Sequence, residues 1–413
     1  MKRRVVWLLI LCALSAWGEL SDAARKRLDE TIAAARTAFE TPSVSVAVTQ
    51  SGNIVYARAF GNSETTTRYA IGSISKQFTV AALLLAQEQG KLSLADPVSK
   101  YFPEFTRARE ITIKQLLSHT SGYEDYAPQD YMIPEWAKAT SPAALLEVWA
   151  KKPLNFEPGT RWQYSNTNYV LAGKIFEKAS GQQLLPYLKQ RIFEPLGMTS
   201  AGDCTVKTAA DATAYTRFAL GPVRPALREG PGWYFAAGEL CMTASDLARW
   251  DAAFLAKRIL SAKSYQEFVR EVKLKSGAAT HYSLGLRLGE MAGTPMLTHS
   301  GEVSGFLAMN SVFPQKQLGI AVLSNEDNIG LVGTVTRQIA SELLEPQSKK
   351  TQRNAEVRAI LEDLQHGRID RERFTDHANA YFVSPAIEDY RTSLAPLGKL
   401  SHLHCKASNL AEA

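Results

Sequence analysis

Gly72-Ser73-Ile74-Ser75-Lys76-Gln77-Phe78-Thr79-Val80-Ala81-Ala82-Leu83-Leu84-Leu85 puts a serine and a lysine three residues apart at the head of a run that is apolar on nearly all sides. Such a run reads as a helix lying in the protein interior, with Gly90 as its terminator. The spacing sets Ser73 and Lys76 on one face, one turn apart. A lysine in the first turn of a buried helix needs a reason, because lysine is almost never fully buried without a partner. The helix N-terminus aims backbone N–H groups and positive potential at Ser73, which favours an alkoxide or oxyanion. The same field, with burial, disfavours a charged Lys76, so its pKa should fall and let it act as a base near neutral pH. Two fixed positions recur by chance, but this is the only S-x-x-K in the chain.

Two further motifs follow in order. Tyr164-Ser165-Asn166 lies in the polar stretch from Thr160 to Tyr169, after the breaker Glu157-Pro158-Gly159 and before a helix expected over Val170 to Ser180. A tyrosine hydroxyl beside a lysine can relay a proton, and an asparagine amide can orient a peptide-like substrate through both donor and acceptor. Taken alone, capping and core filling explain this motif as well. His299-Ser300-Gly301 is expected to end a short strand. Gly301 would let a substrate backbone pair closely against the strand edge, and His299 can donate or accept near pH 7. The backbone N–H of Glu302 could join that of Ser73 as an oxyanion hole. A lone histidine at a strand end is more often structural. Together the motifs supply a nucleophile, neighbouring bases and a substrate-orienting amide, as a serine acyl-transfer site requires.

The remaining pattern sets these motifs in a mixed architecture. Asp22 to Phe39 reads as an amphipathic helix; Ser43 to Thr49 and Ile54 to Phe60 read as two strands joined at Ser51-Gly52-Asn53. From about 92 to 215, repeated prolines punctuate helices and long loops. Strand patterns return over Tyr282 to Leu288, Met296 to His299, Phe306 to Phe313 and Leu318 to Ser324, and a helix follows from about 329 to 344. We therefore expect an α/β sandwich, a mainly antiparallel sheet flanked by helices, beside an all-helical lobe. The domain should span 19–345. Residues 346–413 are expected to be a polar linker, over Glu345 to Asn354, and a small helical tail of unknown role. The tail histidines His366, His377, His402 and His404 are scattered, as solvent-exposed histidines are.

Composition narrows the function classes. The chain has 413 residues, is 45% hydrophobic and carries a formal charge of +6. Lys2, Arg3 and Arg4 open a segment with an apolar run from Val5 to Ala16 and small residues at Ala16 and Gly18. This reads as a signal peptide over 1–18, placing the mature protein in the periplasm or outside the cell, with no stable membrane insertion. No dense Lys/Arg block with interleaved aromatics marks a nucleic-acid partner. The partner is a small-molecule or peptide substrate. No cofactor is expected, and neither H-E-x-x-H nor a Cys/His cluster of zinc spacing is present. Cys204, Cys241 and Cys405 remain beyond Cys12; a Cys204–Cys241 disulfide and three unpaired thiols are both open readings.

The ordered motifs resemble the serine beta-lactamase-related superfamily, which includes class C beta-lactamases, D-Ala-D-Ala carboxypeptidases, and esterases and peptidases of the same fold. Tyr69-Ala70-Ile71-Gly72 before Ser73, Ile113-Lys114-Gln115-Leu116-Leu117-Ser118-His119-Thr120-Ser121-Gly122, Phe156-Glu157-Pro158-Gly159, Thr243-Ala244-Ser245-Asp246-Leu247-Ala248 and Val322-Leu323-Ser324-Asn325 look similar as well. The resemblance covers about 30 to 345. It implies that Ser73 is the acylated nucleophile, Lys76 its activating neighbour, and Tyr164 the shuttle to the leaving group and the deacylating water. It implies that Asn166, His299, Ser300 and Gly301 bind substrate, and that His119 has no catalytic role. His299 stands where class C beta-lactamases have lysine, a permanent cation for a substrate carboxylate. That departure puts efficient beta-lactam hydrolysis in doubt and leaves acyl transfer intact. The competing reading is a non-catalytic penicillin- or peptidoglycan-binding or sensor module of the same fold. Retention of Ser73, Lys76 and Tyr164 favours the enzyme. An unrelated α/β-hydrolase is disfavoured, because no G-x-S-x-G elbow is present.

Overall fold

The computed structural model describes residues 20–398, except 130, 220, 328, 329 and 346. The leader expected at 1–18 and the terminal His402, His404 and Cys405 lie outside the described residues. Contacts divide the chain into two compact units, Met1–Thr336 and Arg337–Ala413.

The first unit opens with α1 (Asp22–Ala38), whose N-terminus is capped by the Ser21 hydroxyl and which buries Leu28, Ile32 and Ala35. The strands β1 (Ser43–Gln50) and β2 (Asn53–Gly61) follow as a hairpin. Short strands come next: β3 (Tyr69–Ala70), β4 (Gly202–Asp203), β5 (Tyr215–Thr216), β6 (Arg224–Pro225) and β7 (Leu240–Met242). The chain then runs through β8 (Arg287–Met291), β9 (Thr294–Val303), β10 (Phe306–Phe313) and β11 (Leu318–Ser324). The central sheet is antiparallel, in the order β2-β1-β11-β10-β9-β8. Ser43, Ser45 and Thr49, which alternate with the valines of β1, are as deeply buried as Val44, Val46 and Val48. Both faces of β1 are therefore covered rather than one.

The helix headed by the Ser73 segment is α2 (Ser75–Glu88), and every residue from Ser75 to Ala86 is buried. The helical region expected over 92–215 holds α3 (Ile113–Leu117), α4 (Pro142–Trp149), α5 (Asn166–Ser180) and α6 (Leu184–Leu188), with β4 entering only at Gly202. Then come α7 (Phe235–Gly238), α8 (Ala244–Leu255), α9 (Ala262–Val269) and α10 (Leu331–Leu344). α2 packs against α5, α6, α7 and α9, while α8 lies on β1 and β11. Cys204 and Cys241 are disulfide-bonded, with Cα atoms 5.0 Å apart.

Three expectations about strands and the tail need correction. The segment Tyr282 to Leu288 is not one strand. Pairing with β9 begins at Arg287, because the chain turns at Gly285, whose φ is +73°. Tyr282, Leu284 and Leu286 are buried on either side of that turn. β9 is ten residues long, so His299-Ser300-Gly301 sits within a strand rather than at its end. Finally, the segment expected as a linker is helical from Gln347, in α11 (Gln347–Gln365). Its Gln, Lys, Arg, Glu and Ala content has high helix propensity, and polarity alone does not break a helix. The second unit continues with α12 (Asp376–Tyr381) and α13 (Ser384–Leu394). α13 packs on α11, and the Gln365 side chain donates 2.9 Å to the Leu394 carbonyl. His366 and His377 are exposed.

Candidate active site

Ser73 lies in a single 3-10 turn, Gly72–Ile74, that leads into α2. β7 holds this turn: the Ile71 N–H donates 3.0 Å to the Leu240 carbonyl, and the Leu240 N–H donates 3.2 Å to Ser75 Oγ. The next turn of α2 is tied to the sheet through Gln77, whose Nε2 donates 3.0 Å to Asn310 Oδ1. Asn310 Nδ2 in turn lies 2.9 and 2.8 Å from the two carboxylate oxygens of Asp251. Burial pushes the Asp251 carboxyl up to about 8.

Ser73 Oγ receives two partners. Lys76 Nζ is 2.9 Å away and the Tyr164 hydroxyl is 2.8 Å away. Lys76 is fully buried, and its amine also donates to Asn166 Oδ1 and to the Ala237 carbonyl, each at 2.8 Å. A neutral amine satisfies those two acceptors with its two hydrogens and keeps a lone pair for the Ser73 proton. Burial lowers the Lys76 pKa to about 7, against the opposing pull of the Asp125 charge. Burial drives Tyr164 the other way, so its phenol stays protonated and donates.

Asn166 is the first residue of α5, with 8% of its surface exposed. Its backbone N–H donates 2.9 Å to Asp125 Oδ1, and its Nδ2 donates 3.3 Å to Asp125 Oδ2. The side-chain oxygen faces Lys76 and one amide hydrogen faces Asp125, which leaves a single Nδ2 hydrogen for a substrate. Asp125 also explains why α5 begins at Asn166 rather than Val170. A carboxylate from another loop takes the first helical N–H, while the Ser165 side chain makes no cap bond.

His299 is where the expected electrostatics change most. It is buried on β9, with Nε2 accepting from the Tyr282 hydroxyl at 3.0 Å and Nδ1 donating to the Ser300 carbonyl. Burial, then the Lys76 charge, lower its pKa to about 3. It is neutral throughout the physiological range and both ring nitrogens are engaged within the protein, so it does not titrate near pH 7 as an unperturbed imidazole would. Ser300 and Glu302 are exposed, while His299, Gly301 and Val303 point inward. Gly301 has a steric reason: a Cβ there would lie 1.8 Å from the Ile71 carbonyl oxygen and 3.3 Å from the Ser73 nitrogen. A Cβ on Gly72, at φ +50°, would lie 2.6 Å from the Glu302 nitrogen. The close approach is thus between the Ser73 turn and β9 themselves, and the Ser73 and Glu302 amides stand on its two sides.

His119 is a neighbour of the site. Its ring centroid is 4.3 Å from that of Tyr164, and its Nδ1 accepts from the Ser165 N–H at 3.2 Å. Burial holds its pKa well below the usual histidine range. It supports the Tyr164 ring and the backbone that presents it. Asp125 and Tyr282 were missed from sequence. One of the two adjacent acids in Gly122-Tyr123-Glu124-Asp125-Tyr126 and a tyrosine in an apolar run carry no local signal, and only the tertiary fold brings them to Asn166 and His299.

The sequence pattern of the family described as Beta-lactamase matches residues 28–343. A penicillin-binding protein of Bacillus subtilis is 28% identical over 313 residues, 68% of each chain. A D-aminopeptidase of Brucella anthropi is 29% identical over 287 residues, 65% of this chain and 53% of that protein. Among solved structures, a D-stereospecific amidohydrolase from Streptomyces sp. superposes with a TM-score of 0.68 at 27% identity, covering 78% of this chain and 98% of its own. The chain belongs to the beta-lactamase family, and its fold is that of the beta-lactamases and transpeptidases.

Proposed function

We propose that this beta-lactamase-family chain is a serine hydrolase that forms an acyl-enzyme on Ser73 while cleaving an ester, an amide or a peptide bond beside a D-residue. The observation that carries the reading is the pair of contacts on Ser73 Oγ, 2.9 Å from Lys76 Nζ and 2.8 Å from the Tyr164 hydroxyl. Neutral Lys76 takes the Ser73 proton as Oγ bonds to the substrate carbonyl carbon. The resulting oxyanion is received by the Ser73 and Glu302 backbone N–H groups. Tyr164 gives its proton to the leaving group as the old bond breaks, and Lys76 restores it. In the second half, a water loses its proton to the same pair, attacks the acyl carbon and returns Ser73 to the hydroxyl form. The neutral His299 favours uncharged acyl substrates over those that need a fixed cation. The D-aminopeptidase and D-stereospecific amidohydrolase relatives support amide substrates with D-residues.

The leader expected at 1–18 and the Cys204–Cys241 bond suit action outside the cytoplasm. Among the described residues, no helix is long and apolar enough to cross a membrane. The test is intact mass and peptide mapping after exposure to a fluorophosphonate, a penicillin and an activated ester. The expected result is one adduct on Ser73, lost in Ser73→Ala together with roughly 10³-fold or more of turnover. A label on Ser75, Ser165 or Ser300 would overturn the assignment. Folded protein that binds penicillin without any adduct would make it a binding module.

A further inference from the structure

We infer that Asp125 is a positioning residue that sets the proton affinity of Lys76 by fixing which end of the Asn166 amide faces the lysine. The inference rests on the serine-hydrolase reading above. Asp125 is 6% exposed and offers only acceptors when ionised. Its Oδ1 takes the N–H groups of Asn166 and Ala127 at 2.9 and 3.2 Å, and its Oδ2 takes Asn166 Nδ2 at 3.3 Å. An acceptor-only partner on that side forces Nδ2 toward Asp125 and Oδ1 toward Lys76. Lys76 Nζ then donates to that oxygen at 2.8 Å. Charge and dipole act in the same sense: the carboxylate and the amide oxygen both favour the ammonium form, against the burial that disfavours it. Ser73, Lys76, Asn166 and Asp125 thus form one continuous hydrogen-bonded row.

The other groups around the row do not duplicate this role. Tyr164 and Tyr169 present ring faces to Lys76, at 4.9 and 5.3 Å from the amine to the ring centroids. Tyr126, on the loop beside Asp125, and Tyr164 are neutral phenols whose ionisation Asp125 opposes. His119 and His299 are held neutral, in part by the Lys76 charge itself. Of the other charges nearby, Arg287 acts on both histidines and as a cation cannot favour the ammonium, while Glu229 and Glu239 act on Tyr126. Among these groups Asp125 is the one negative charge on Lys76.

In Asp125→Asn the two N–H bonds to Oδ1 are kept, but a donor then faces Asn166 Nδ2. The Asn166 amide flips, its Nδ2 turns to the lysine, and the amine is held in the neutral form. The measurement is the pH dependence of phosphonate labelling at Ser73 and of kcat/KM for a nitrophenyl ester. The wild type should lose rate as pH falls through about 7. In Asp125→Asn that limb should move down by about one pH unit, with a lower plateau because the base is weaker. Asp125→Glu should restore the limb, which a merely structural role would not require. If Asp125→Asn does not fold, Asp125→Ser, neutral and smaller, carries the same expectation. A limb that stays in place in a folded neutral variant overturns the inference. Absence of Ser73 labelling in the wild type would instead overturn the hydrolase reading.

Discussion

Lys76→Met should remove activity and change how stability depends on pH. Lys76 is fully buried, and its pKa in the folded protein is about 7. An unfolded lysine titrates near 10.4. Between these values the unfolded chain binds a proton that the folded chain does not, so wild-type stability should rise with pH across this window. The penalty for that proton is about 4 kcal/mol at pH 7 and about 2 kcal/mol at pH 9. Methionine carries no such penalty. It does give up three hydrogen bonds, at about 1 kcal/mol each, but these losses are the same at both pH values. The stability difference between wild type and Lys76→Met should therefore shift toward the wild type by about 2 kcal/mol from pH 7 to pH 9. Urea unfolding of both proteins at the two pH values measures it. The same buried amine predicts about a tenfold fall in wild-type kcat/KM from its plateau by pH 6, where roughly a tenth of Lys76 is neutral. Parallel stability profiles for the two proteins would refute the claim that burial depresses this pKa.

Lys76→Ala and Tyr164→Phe should be non-additive in kcat/KM, because both groups act on one oxygen, Ser73 Oγ; a double variant that loses the full product of the two single losses would show independent roles. His299→Lys should raise the ratio of cephalosporin to nitrophenyl-ester kcat/KM by about tenfold, the worth of roughly one screened charge contact. In the wild type that ratio should stay flat from pH 8 to pH 5, since His299 is neutral above about 3; a rise as pH falls through 6.5 would show an ordinary imidazole there. Replacing both Cys204 and Cys241 by alanine opens a cross-link spanning 37 residues and should cost about 4 kcal/mol in denaturant unfolding. An unchanged midpoint would mean that the bond does not constrain the unfolded chain.

The parts of the fold legible in the sequence are those that a periodic pattern or a local terminator encodes. The apolar run after Ser73 reads as a buried helix because no face of it is polar, and β10 and β11 match the bounds of their apolar stretches, which in β10 are interrupted only by Asn310 and Ser311. The start of α5 was misplaced by four residues because its cap comes from Asp125, 41 residues earlier, and no local capping signature marks it. Tyr282 to Leu286 read as strand for a related reason. A buried irregular segment has the same apolar character as a strand, and only the turn at Gly285 separates them. Site membership followed the same division. Motif spacing marks Ser73, Lys76, Tyr164 and His299 in the sequence, whereas Asp125 and Tyr282 join them only through contacts 41 and 17 residues apart.

The neutrality of His299 and the depressed pKa of Lys76 are parts of one electrostatic arrangement. Each cation near the row makes the next proton harder to add. The Lys76 charge contributes to lowering both His299 and His119. A permanent cation at 299 would push Lys76 further toward the amine by like-charge repulsion, beyond what burial already does. A row whose single negative charge is Asp125 can hold Lys76 near 7 only while the third motif stays uncharged. On this view the histidine at 299 is matched to the base rather than being a weaker substitute for lysine. Its Tyr282 bond at 3.0 Å and the Ser300 carbonyl keep both ring nitrogens occupied, so it forms a neutral wall beside Tyr164. A substrate carboxylate would meet no fixed charge from that wall, while an uncharged acyl group would lose nothing there, so under the proposed hydrolase reading a preference for neutral esters and amides would follow from the same contacts that hold the Lys76 pKa near 7.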